Sequence, residues 1–132
     1  MKNVFMLIAA MLCNLVGCTA QNQKYESLDV EAFEKAISDT SVIRLDVRTA
    51  EEYQGGHIAG AINIDVLNDD FQAKAISLLP KDKTIAVYCR SGRRSKKAAG
   101  ILADNGYKVK ELNTGYVGWT QAGKETSGME RN

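Results

Sequence analysis

Cys89-Arg90-Ser91-Gly92-Arg93-Arg94-Ser95 sets one thiol among three arginines, two hydroxyls and a glycine. Residues of these types can activate a sulfur atom and hold an anion beside it. The unpaired backbone N–H groups where a loop enters a helix attract negative charge. A loop curled around the Cys89 sulfur would turn the N–H groups from Arg90 to Ser95 inward, with Gly92 supplying a permissive backbone. Those donors, the helix dipole and the charges of Arg90, Arg93 and Arg94 favour thiolate over thiol. Cys89 is therefore expected to titrate below the reference of about 8.5 and to act as a nucleophile without a separate general base. The candidate catalytic residue is Cys89; the candidate substrate-binding residues are Arg90, Ser91, Gly92, Arg93, Arg94 and Ser95, with Arg94 foremost among the side chains.

Other residues with chemical potential read differently. His57 is the only histidine; it lies far from Cys89 in sequence and is expected to make a structural hydrogen bond in a turn, and no metal site is expected without a second His. Asp46 and Arg48 at the end of a strand suit an ion pair or loop-fixing hydrogen bond near the pocket. Trp119 reads as core, and Lys96 and Lys97 as the exposed side of a helix.

The elements that must position Cys89 alternate between α and β patterns. Asp29 can cap a helix carrying Val30, Phe33, Ala36 and Ile37 at helical spacing. Val42 to Val47 is β-rich, and Thr49-Ala50-Glu51-Glu52 has the form of a capping box, with Gly55-Gly56 ending the helix it opens. Ala61 to Ile64 suits a short strand, and Phe71 to Leu79 a helix stopped by Pro80. Thr84 to Tyr88 is a continuous apolar strand fit for the middle of a parallel sheet, and Ser95 to Asp104 a helix. Cys89 falls between them, where open α/β sheets bind ligands. Gly106 fits the end of that helix, Lys108 to Leu112 a last strand, and Tyr116 to Ala122 a final helix. The expected fold is α/β: one domain with a central parallel sheet and helices on both faces.

A length of 132 residues with 45% hydrophobic content allows one core, and 17 basic against 16 acidic residues leave no field to attract nucleic acid. The start of the chain differs in kind. Met1-Lys2-Asn3 precedes an apolar run from Val4 to Leu12, too short to span a bilayer but suited to a signal peptide. Leu15-Val16-Gly17-Cys18 resembles the lipobox of bacterial lipoproteins, in which the chain is cut before a cysteine that is then lipidated. The expected division is a signal peptide over 1–17, a lipid-anchored tether over 18–24, a domain over 25–125 and a tail over 126–132. Cys18 is the expected lipidation site, and the bacterial cell envelope, periplasm-facing, the expected location. Removal of Cys13 and blocking of Cys18 would leave Cys89 the only free thiol.

Three separate segments resemble one family, the single-domain rhodaneses. Leu45-Asp46-Val47-Arg48 with Glu52-Tyr53 and Gly56 to Ile64 is similar to its first signature region. Tyr88 to Ser95 is similar to its active-site loop, and Asn113-Thr114-Gly115-Tyr116 with Trp119 and Ala122-Gly123 to its closing segment, where Thr114 replaces a frequent second glycine. The resemblance implies a rhodanese-like fold and a persulfide cycle on Cys89. A small anionic donor such as thiosulfate, or a persulfide, would give sulfane sulfur, and a thiol, cyanide or a protein acceptor would take it. It implies no cofactor and a monomer. Two alternatives stand beside it: a rhodanese-like module that carries sulfur or binds a partner without turnover, and a cysteine-dependent phosphatase or arsenate reductase. Four residues between Cys89 and Arg94 match the shorter rhodanese loop and disfavour the phosphatases, which use five.

Overall fold

The structure, a computed structural model, describes residues 24–128. The expected signal peptide, Cys18 and nearly all of the expected tether lie outside the described residues. The chain runs through β1 (Glu26–Leu28), α1 (Val30–Ile37), β2 (Ile43–Asp46), α2 (Ala50–Gln54), β3 (His57–Ile58) and β4 (Ile62–Asn63). It continues through α3 (Phe71–Leu78), β5 (Ile85–Tyr88), α4 (Arg93–Asp104), β6 (Val109–Leu112), α5 (Gly115–Gln121) and β7 (Thr126–Ser127). Five strands form a parallel sheet in the order β1-β6-β5-β2-β4, while β3 and β7 pair antiparallel in a small second sheet.

Strand β5 sits at the centre because it has no polar face to show to water. Side chains alternate across a strand, so Ile85 and Val87 enter one core with Leu45, Val109, Phe71, Ala75, Ala98 and Leu102. Ala86 and Tyr88 enter the other with Phe33, Ile37, Leu112 and Trp119. The expected α/β architecture with helices on both faces is thus the one observed. Complete burial of Phe33 is worth roughly 1.5–3 kcal/mol.

Local signals set most boundaries. Asp29 accepts from the Ala32 N–H at 2.8 Å and starts α1. Thr49 and Glu52 form the full capping box of α2, which Gly55 ends. Three features depart from the expectations. Helix α4 begins at Arg93, two residues before the expected Ser95, because Gly92 takes φ +103° as its N-cap and turns the chain at once into the helix. Glu26–Leu28, too short and polar to show a strand pattern, is an edge strand held by parallel pairing to β6. The fold also continues past the expected domain end at 125, since Thr126–Ser127 pairs with His57–Ile58. Among the described residues no helix is long and apolar enough to cross a membrane.

Candidate active site

Cys89 follows the last residue of β5, at the carboxyl edge of the sheet, and its side chain is buried. It is the free cysteine of the described residues. The Gly92 N–H donates to Cys89 Sγ at 3.1 Å, and Sγ lies 3.5 Å from Ser95 Oγ, to which the thiol donates. Ser95 is buried in the first turn of α4, a helix of 12 residues whose N-terminal dipole therefore meets the sulfur.

The tight loop exists because two glycines allow it. A Cβ on Gly92 would stand 2.2 Å from the Asn113 carbonyl oxygen, and one on Gly115, at φ +65°, 2.4 Å from the Arg90 carbonyl oxygen. The segment entering α5 thus interlocks with the cysteine loop. Tyr116 and Val117 N–H groups donate to the Cys89 and Arg90 carbonyls at 2.8 and 3.0 Å, so two helix N-termini converge on one loop.

The loop arginines separate into two kinds. Arg90 and Arg93 are exposed, as is Ser91, and neither arginine has an ion-pair partner among the described residues. Arg94 is half-buried and donates through both terminal nitrogens to Glu52, at 2.8 and 3.0 Å. That bond holds the Glu52 carboxyl at about 2, well below its ordinary 4.5, with the Thr49 N–H and hydroxyl helping against partial burial. Glu52 in turn holds the Arg94 guanidinium above its ordinary range, against partial burial. Arg94, foremost among the side chains expected from sequence, therefore has its guanidinium already engaged by Glu52 of α2.

Around this centre the fold is braced by buried polar groups. Arg48 bonds Asp46 through Nε and Nη2, the latter at 2.7 Å, and donates to the Gly56 carbonyl. Its guanidinium lies 4.3 Å from the Tyr116 ring centre, close enough for a cation–π contact. Tyr88 donates to Asp46 and accepts from the Ile58 N–H. Burial first, and then the Asp46 charge, push its hydroxyl far above the ordinary range. The Asp46–Arg48 ion pair of the sequence reading is therefore present and buried. His57 stacks on Tyr53 and contacts its carbonyl through Nδ1 at 2.9 Å, a structural placement away from Cys89. Among the described residues no cluster of His, Cys, Asp and Glu could hold a metal.

One buried charge, a single hydroxyl removed from the sulfur, has no place in the sequence reading. Glu111 is fully buried on β6 and accepts from Ser95 at 2.5 Å, from Ser27 at 2.6 Å and from Lys96 at 3.2 Å. Lys96 is consequently half-buried at this carboxylate rather than on an open helix face, whereas Lys97 is exposed. The available signal was the period of two in β6, which puts Glu111 on the same face as the apolar Val109. A cleft of about 380 Å³ opens beside the loop, lined by Arg48, Glu52, Arg90, Tyr116 and Thr120. A second, of about 430 Å³, lies at the opposite end of β2, beside Arg44 and Ile62, too far along the strand to serve Cys89.

Comparison with known proteins agrees with this geometry. The family model described as Rhodanese-like domain matches residues 29–122. Protein HIGH ARSENIC CONTENT 1, mitochondrial, of Arabidopsis thaliana is 34% identical, covering 85% of this chain and 85% of its own. A protein named Sulfurtransferase of Allochromatium vinosum is 33% identical, covering 73% and 89%. The solution structure of a rhodanese-like domain from Anabaena superimposes with a TM-score of 0.72 at 27% identity, covering 80% of this chain and 81% of the other.

Proposed function

The chain belongs to the rhodanese-like domain family, and we propose that it is a sulfurtransferase that carries sulfane sulfur on Cys89. The single observation that carries this reading is the placement of Sγ against the Gly92 N–H at the N-terminus of α4. A sulfur in that cradle can hold negative charge both before and after it takes a second sulfur.

With thiosulfate as donor, the Cys89 thiolate attacks the sulfane sulfur. A bond forms between Sγ and that atom, the bond from it to the sulfonate sulfur breaks, and sulfite leaves with the electron pair. Cys89 is left as a persulfide anion. Cyanide or a thiolate then attacks the terminal sulfur, and the bond electrons return to Sγ. Both steps leave an anion at the loop, where the preorganised Gly92 N–H acts without rearrangement. Arg90 and Arg93, exposed and without an ion-pair partner among the described residues, supply positive charge for the arriving donor. Arg94, tied to Glu52, adds a fixed positive charge in the first turn of α4.

Relatives named as sulfurtransferases support this class of reaction. Thiocyanate release from thiosulfate and cyanide tests it. The wild type should turn over and Cys89→Ser should not, while retaining the wild-type urea midpoint; turnover by the serine variant would reject Cys89 as the carrier. Arsenate with a dithiol as its two-electron reductant belongs in a parallel assay, given the name of the Arabidopsis relative; arsenite formed as the dithiol is oxidised to its disulfide, with no thiocyanate formed from thiosulfate and cyanide, would replace sulfur transfer with arsenate chemistry. We propose further that the chain is lipidated at Cys18 and held at the bacterial envelope, facing the periplasm. The carrier of that reading is the Leu15-Val16-Gly17-Cys18 sequence after a short apolar run. Mass spectrometry of the mature N-terminus should find an acylated Cys18, and an unmodified or different N-terminus would remove the anchor.

A further inference from the structure

Asp46 and Glu111 are the two buried carboxylates of the described residues. Asp46 is consumed by Arg48 and Tyr88. Glu111 has no part in the sulfur chemistry above, yet it lies one hydroxyl away from the sulfur. In the parallel register of β5 and β6 it stands beside Val87, two residues before Cys89, and beside Ser27 of β1 on its other flank.

We propose that Glu111 is a positioning residue that receives the Cys89 proton through the Ser95 hydroxyl when the thiol is converted to its nucleophilic form. The inference rests on Cys89 being the nucleophile and deepens that reading. A serine hydroxyl has a single proton to donate. Here that proton is given to Glu111 Oε2 at 2.5 Å, so Ser95 turns a lone pair toward Sγ and accepts from the thiol at 3.5 Å. In this arrangement the Cys89 S–H is the first donor of a chain that ends on Glu111.

Ionisation along the chain balances without a further reactant. The S–H bond breaks as its proton passes to Ser95 Oγ, and the former Ser95 proton passes to Glu111 Oε2. The end state is a thiolate that accepts from Ser95, which accepts from a neutral Glu111. One unit of negative charge moves from the interior of the sheet to the Gly92 N–H and the N-terminus of α4. Every member keeps a hydrogen bond in both states, which makes such a network productive rather than costly. The groups facing Glu111 are Ser27 from β1 and Ser95 and Lys96 from α4. Lys96 is further fixed by the Gly92 carbonyl and Asn113 Oδ1. On the sulfur side the facing charge is Arg94, with Glu52 of α2 bonded to it.

The test is alkylation of Cys89 by iodoacetamide, followed by mass spectrometry of the peptide that carries it, so that Cys13 and Cys18 do not contribute. No sulfur donor is present. Wild type, Glu111→Gln, Ser95→Ala and the double variant are compared over a range of pH, with urea denaturation to verify folding. Glu111→Gln keeps the shape of the side chain but cannot take the proton. Each single variant should slow alkylation about tenfold or more at neutral pH, and the Glu111→Gln profile should move toward higher pH. The double variant should be no slower than Ser95→Ala, because Glu111 acts through Ser95. Wild-type reactivity in Glu111→Gln, or losses that multiply in the double variant, would overturn the relay. Should Glu111→Gln fail to fold, Ser95→Thr against Ser95→Ala carries the test: the threonine hydroxyl should restore the rate, and a wild-type rate in the alanine variant rejects the proposal. An intact relay in a protein that transfers no sulfur would reject the sulfurtransferase reading and leave this one standing.

Discussion

Gly92→Ala probes the loop geometry directly, because the structure sets the size of its effect and supplies a control. The new Cβ would meet the Asn113 carbonyl oxygen at 2.2 Å, more than an ångström inside ordinary contact, and the obstacle is backbone. That carbonyl cannot simply withdraw, since the Asn113 N–H is bonded to the Leu28 carbonyl at 2.8 Å and ties the segment to β1. Holding a non-glycine residue at φ +103° costs about 1–2 kcal/mol, and relieving an overpacked contact about 1–3 kcal/mol. A total loss of about 2–5 kcal/mol is expected. Gly123 provides the comparison: its φ is +75°, but a Cβ there meets nothing within 4 Å, so Gly123→Ala should lose only about 1–2 kcal/mol. Urea denaturation of both variants reads the difference. Cys89 alkylation should slow in Gly92→Ala, whose N–H leaves Sγ, and not in Gly123→Ala. A Gly92→Ala protein no less stable than Gly123→Ala would refute the interlocked loop.

Other perturbations test the surrounding groups. Because the folded Glu52 carboxyl is lowered from 4.5 to about 2, its contribution is present above the unfolded value and disappears as pH falls through that interval; solvent screening at a carboxylate 30% exposed reduces it to about 1–2 kcal/mol. Glu52→Gln should remove this acid-dependent component of stability, and equal slopes of stability against pH in the two proteins would contradict the assignment. Asp46→Asn leaves the Arg48 charge buried without its counter-ion and should cost about 3–5 kcal/mol, read by urea denaturation; a loss below about 1 kcal/mol would show that the pair is dispensable. Arg90→Ala and Arg93→Ala should change stability by no more than about 0.5 kcal/mol, being exposed, while raising KM for thiosulfate; an unchanged KM in both would remove them from donor capture.

How far these features could be read in advance depended on whether their causes were local. The capping box at Thr49 and Glu52, the Asp29 cap and the apolar run of β5 are short-range signals, and each element appears where its signal lies. The first turn of α4 was shifted because three charged or polar residues, Arg93, Arg94 and Ser95, hide a helix start that Gly92 determines. Strand β1 carries no local signal because its reason for existing is β6, more than eighty positions away. A separation of 42 residues hid the destination of Arg94. Nothing near it in sequence indicates that Glu52, already engaged in a cap, also receives its guanidinium. Glu111 was readable in principle from the alternation of β6, but a charge on an apolar face becomes meaningful only once Ser95, Lys96 and Ser27 are seen around it.

Intact mass of the purified protein before and after exposure to thiosulfate, with Cys89→Ser in parallel, tests the central claim most directly. A gain of one sulfur atom in the wild type alone, mapped to the peptide of Cys89 and lost again on addition of cyanide as thiocyanate appears, is the predicted result. An unchanged mass, with thiosulfate intact and Cys89 still open to alkylation, would contradict thiosulfate-fed sulfur carriage by this cysteine.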